Sequence, residues 1–123
     1  IILDTAKLIE HIIKGKGDGW KGGNETFFIR LKDAPFPQNI ISIQWIDGTL
    51  SVSNRTISNQ PKVVIDTDFP TLNKLIFGGE SILKAMLKSK LAIKPVWKVN
   101  KGVRLLSLLS LRDYWYIPRL DQT

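Results

Sequence analysis

Few side chains in this chain of 123 residues can do chemistry, and their spacing excludes more than it offers. His11 is the one imidazole, and it stands beside Glu10 on a helical stretch, where an exposed surface residue is expected and a general base is not. Cysteine is absent, which removes disulfides, thiolate nucleophiles and Cys-based zinc sites together. Ser107 and Ser110 occupy polar positions of a helix without a histidine partner, so Ser-His-Asp chemistry is excluded. The acids are spread singly, with no pair at metal-ligand spacing and no carboxylate dyad. What remains is the loop Asp33-Ala34-Pro35-Phe36-Pro37-Gln38-Asn39. There Asp33 is expected as a turn residue bonding a nearby N–H ahead of any role as a carboxylate for an amine.

The elements that would position these groups follow from periodicity and punctuation. Asp4 or Thr5 can cap a first helix whose Leu8, Ile9, Ile12 and Ile13 recur at helical spacing, and Gly15 is placed to end it. The stretch 15–24 holds five glycines and reads as a connector, because a phosphate-binding loop follows a strand and ends in Gly-Lys-Ser/Thr. Strands are predicted over 26–31, 40–46, 49–54 and 62–66. Asp47-Gly48 is a type I′ hairpin dipeptide, which sets Trp45 opposite Leu50 and Ile43 opposite Val52 on a dry face. Gln44 opposite Ser51 and Ser42 opposite Ser53 make the wet face.

Asp66, Thr67 and Asp68 supply caps for a helix over 69–77, with Pro70 in its first turn and Gly78-Gly79 closing it. A short helix over 81–88 segregates Ile82, Leu83, Met86 and Leu87 from Lys84 and Lys88. A strand over 91–97 carries Pro95 and so belongs at an edge or bulge. The last helix, 100–112, offers more leucine than one face needs. That apolar excess is compatible with a cavity, but on the residues alone a filled core is the expectation.

The length suits one domain with one core. No apolar run reaches the ~18 residues of a membrane span, and with no cysteine a cytoplasmic location is expected. A net charge of +7 invites a nucleic-acid reading. The cations Lys84, Lys88, Lys90, Lys94, Lys98, Lys101 and Arg104 nevertheless come without a reading motif, so a solvated surface or a patch for anionic groups is expected, and nucleic acid is not.

The order of elements, with Asp68-Phe69-(x)2-Leu72-(x)2-Leu75-(x)2-Gly78 and then Ala85-(x)4-Lys90-Leu91, resembles the sterol-carrier-protein-2 superfamily over most of the chain. The resemblance implies an α+β fold, a twisted, mainly antiparallel sheet of about five strands with helices packed chiefly on one face. The hairpin's dry face would point to those helices. The loop Asp33 to Asn39, Gly78-Gly79 and Asp113-Tyr114-Trp115-Tyr116 look more like one branch, the sterol-carrier-like C-terminal domain of GNAT-type N-acetyltransferases of the enhanced-intracellular-survival kind.

Ile2-Leu3-Asp4-Thr5-(x)2-Leu8 is similar to that domain's entry from its linker, so residues 1–123 are expected to be a single domain at the C-terminal end of a longer chain. The resemblance further implies no cofactor in this domain, with acetyl-CoA held by an upstream GNAT domain. This domain would then close the pocket of a small acceptor amine, with Asp33 and Asn39 on the acceptor loop and the terminal carboxylate, here that of Thr123, as proton acceptor. The family's chains stop at or just after an aromatic residue, whereas Ile117 to Thr123 follow Tyr116.

The alternative is a stand-alone carrier holding a lipid or fatty-acyl chain between hairpin and helices, lined by Ile43, Trp45, Leu50, Val52, Phe69, Leu72, Ile76, Met86, Leu106 and Leu109. A bare interaction domain, homo-oligomer included, is the reading left if the interior is full.

Overall fold

The computed structural model describes residues 2–16, 20, 23–35, 39–54 and 63–111. Helix α1 (Ile2–Gly15) precedes β1 (Glu25–Leu31), the hairpin β2 (Ile40–Ile46) and β3 (Thr49–Ser53), and β4 (Val63–Thr67). Then come α2 (Phe69–Phe77), α3 (Ile82–Leu87), β5 (Ala92–Lys94), a single 3-10 turn over Val96–Lys98, and α4 (Val99–Leu109). The strands form one sheet in the order β3-β2-β1-β4-β5, antiparallel except where β4 runs parallel to β1. This is the expected α+β architecture, with β5 at an edge as Pro95 requires.

The hairpin has the register its turn dictates: Trp45 faces Leu50, Ile43 faces Val52, Gln44 faces Ser51 and Ser42 faces Ser53. Both turn residues take positive φ, 52° at Asp47 and 81° at Gly48, as a type I′ turn demands. The dry face is dry, with Ile43 and Trp45 buried. The opposite face departs from expectation at its centre, where Ser42 and Gln44 are also buried. β2 is an interior strand: Ser42 lies across from Phe28, and Gln44 lies across from Thr26, to whose hydroxyl it donates at 3.4 Å. Farther along this face the sheet is charged. Arg30 grips Asp66 through Nε (2.6 Å) and Nη2 (2.9 Å), and Lys94 joins from β5 at 3.3 Å.

Several features differ from the sequence reading, among them the end of α4, which stops at Leu109 and not at 112. α1 starts at Ile2, so Asp4 and Thr5 lie inside the helix instead of capping it. The strand expected over 91–97 survives only as Ala92–Lys94, because Pro95 cannot donate to the ladder and the chain turns into the 3-10 segment. The glycine-rich connector contains a core residue. Trp20 is buried, stacked on Trp45 with ring centroids 5.1 Å apart and edge-on to Phe27, while Arg104 lies 4.6 Å above its ring. This aromatic group and α1, which packs on β3, cover the hairpin's dry face. α4 lies over β4 and β5 and also meets α1 and α2.

Candidate functional site

α2 stops where Gly78 takes φ 80°, a left-handed conformation that favours glycine, and the N–H of Gly79 donates to the Lys74 carbonyl at 2.8 Å. Its start is equally defined, since Asp68 Oδ1 accepts from the Thr71 N–H at 2.8 Å. Two residues past the glycines, Ser81 Oγ accepts from the Lys84 N–H and opens α3. The end of α4 is tied to this corner. The Leu111 N–H donates to the Ile76 carbonyl at 2.7 Å, and Lys16 Nζ, at the end of α1, donates to the carbonyls of Ser107 and Ser110.

These helix ends enclose a half-open cleft of about 320 Å³, lined by Leu75, Glu80, Ser81, Ile82, Leu106, Ser107 and Ser110. Leu75 and Leu106 are nearly inaccessible to water and form its floor, while the hydroxyls and Glu80 form its rim. Glu80 is paired with Lys88 at 2.8 Å. That hydrogen bond, reinforced by the charges of Lys74 and Lys84, holds its carboxyl below the usual range. Ser107 Oγ donates to the Val103 carbonyl at 2.9 Å, a bond within its own helix, and is not poised as a nucleophile.

The residues expected to line a lipid cavity divide. Leu106 is at the cleft. Leu72, Ile76, Leu109, Phe69 and Met86 belong to the same packed core, the last two half-buried. Ile43, Trp45, Leu50 and Val52 join the same core from the part of the sheet that α1 and Trp20 cover. Leu75, Ile82 and Ser81 were missed. Their signal was present in the Gly78-Gly79 break, which turns one helix end toward the next.

Asp33 is committed elsewhere: its Oδ1 accepts from the Phe69 N–H at 3.0 Å, anchoring the β1–β2 loop to the start of α2. Asn39 accepts at its carbonyl from the Leu31 N–H, and its Oδ1 is buried with no hydrogen-bond partner among the described residues. Thr123, Asp113 to Tyr116 and Phe36 to Gln38 lie outside the described residues. His11 is exposed. The glycine-rich stretch runs from a helix to a strand, the reverse of the strand-to-helix order that presents N–H groups to a phosphate. No helix among the described residues is long and apolar enough to cross a membrane.

No protein-family model and no curated protein matches the chain. Solved structures do match. The sterol carrier protein domain 2 of Helicoverpa armigera aligns with a TM-score of 0.62 at 14% identity, over 85% of this chain and 87% of that one. Palmitated SCP2L2 from Aedes aegypti aligns with a TM-score of 0.57 at 12% identity, over 88% and 90%. A double mutant of the sec-alkyl sulfatase PisA1 aligns with a TM-score of 0.55 at 15% identity over 72% of this chain, which spans only 13% of the sulfatase's length. The fold is therefore that of the sterol carrier protein 2 domains.

Proposed function

We propose that the domain is a carrier that takes the apolar tail of a fatty-acyl chain or comparable lipid into the cleft between α2, α3 and α4. The observation that supports it most is the pairing of an apolar floor, Leu75 and Leu106, with a rim of Ser81, Ser107, Ser110 and Glu80. A concave apolar surface with a few placed polar groups is the usual lining of a ligand site. At about 320 Å³ the cleft stands at the small end of such sites, roughly 300–1,000 Å³. It admits part of a tail, and the half-buried Ile82 and Met86 are the side chains best able to yield to the remainder. The likeness to sterol carrier domains, one of them palmitated, supports the ligand class at the level of the fold.

A second reading keeps the domain behind a GNAT domain, shaping the pocket of an acceptor amine while acetyl-CoA is held upstream and Thr123 supplies a carboxylate. Asn39 bears on it, since its buried Oδ1 has no hydrogen-bond partner among the described residues. Asp33 weakens it, having already taken the Phe69 N–H.

Titrating the chain with a fluorescent fatty acid tests the first reading. Saturable uptake at micromolar concentration is expected. Ile82→Trp at the half-buried mouth, and Leu106→Trp at the floor where it stays folded, should abolish uptake with circular dichroism unchanged. Absent uptake, or uptake indifferent to both substitutions, overturns it. Acetyl transfer by a longer polypeptide that is lost on removing Thr123 would favour the second reading.

A further inference from the structure

We infer that the outer face of α3 docks the protein onto an anionic lipid bilayer. Leu83 is 68% exposed and Leu87 76% exposed. Successive helical residues turn by about 100°, so these two leucines form one stripe and Lys84 and Lys88 form the next, while Ala85 points inward and is fully buried. An apolar stripe bordered by lysines is the pattern of a helix lying in a membrane interface.

Charge and area select the occupant. From Ser81 to Arg112 the chain carries eight Lys and Arg and no acid, although Lys88, Lys94 and Lys101 are paired with Glu80, Asp66 and Glu25 from outside that stretch. Lys84 and Lys90 are exposed and stand in no ion pair among the described residues. Such cations add attraction to an anionic leaflet one by one. A protein partner needs more ground. A six-residue helix is about 9 Å long and about 10 Å across. That footprint is far below the roughly 800 Å² per partner of a stable protein interface.

Ser81 and Ile82, at the start of the same helix, line the cleft, so docking brings its mouth to the lipid. That use of docking rests on the carrier reading; the docking itself does not.

The test is co-sedimentation of the 123-residue chain with phosphatidylcholine vesicles with and without phosphatidylserine. Binding to the anionic vesicles only, weakening as salt rises, is expected. Leu83→Ser with Leu87→Ser should lower the partition about tenfold, as should Lys84→Glu alone. These positions are exposed, so folding and uptake of fatty acid from solution should be retained. No binding by the unaltered chain overturns the inference. So does loss of binding in Val96→Ser with Trp97→Ser, the exposed pair beyond β5, while the α3 variant still binds. A dimer in light scattering that the α3 variant splits would assign the face to a second copy of the chain and equally overturn it. Retained uptake with lost docking, or the reverse, separates this inference from the carrier reading.

Discussion

Replacing Gly102 by alanine sets two effects of known size against each other. In an exposed helix the change would stabilise by about 1 kcal/mol, because glycine loses more backbone freedom on folding. In α4, however, a Cβ at Gly102 would lie 2.6 Å from Ile93 Cγ2, 2.9 Å from its Cδ1 and 3.1 Å from its Cγ1. Ile93 is buried and branched at Cβ, so it cannot swing clear, and overpacking of this kind costs typically about 1–3 kcal/mol. The net expectation is a loss of about 1 kcal/mol, seen in urea unfolding and as a fall in Tm of roughly 3–6 °C. The sign should reverse in an Ile93→Ala background, where the offending atoms are gone and the helix preference alone remains. A coupling of at least about 1 kcal/mol should result. Stabilisation by Gly102→Ala in the unaltered chain would refute the close approach of α4 to β5, and with it the placement of Leu105, Leu106 and Leu109 that builds the cleft wall.

Other changes follow from the same contacts. Asp33→Ala leaves the Phe69 N–H without its acceptor and should cost about 1 kcal/mol in urea unfolding, with Asp33→Asn costing less because its amide oxygen can still accept. Arg30, then Lys94, holds the Asp66 carboxyl below its ordinary value. Its stabilisation is therefore complete above the usual carboxylate range and is lost as pH falls through the lowered folded value. Tm measured from neutral pH to acid should show a gap between the chain and Asp66→Asn that begins to narrow near about pH 4 and closes only below the lowered folded value. The gap should be modest, within about 1 kcal/mol for a partly exposed cluster, and a gap that persists in acid contradicts the assignment.

Local rules carried the sequence reading where the chain is locally determined. Asp47-Gly48 specified four cross-strand pairs, and Asp68, Pro70 and Gly78 bounded α2 at both ends. Trp20 escaped notice because a tryptophan among glycines has no periodic partners; only the stacking on Trp45 reveals it. The parallel pairing of β4 with β1 and the capping of α2 by Asp33 join positions far apart in the chain, and no spacing announces them. The cleft is harder still. It is assembled from the ends of three helices, and leucines at core-like spacing read the same whether a neighbour or a ligand fills the space beside them. The expectation of a cavity beneath the hairpin was therefore reasonable in pattern, yet Trp20, Trp45 and Phe27 occupy that place.

The most direct measurement of where a lipid sits is an isotope-filtered NMR experiment on the labelled chain with an unlabelled fatty acid. Contacts are expected from the acyl chain to the methyl groups of Leu75, Ile82 and Leu106, which line the cleft. Contacts to Ile43, Leu50 and Val52 beneath α1, or none to any methyl at saturating fatty acid, would contradict it.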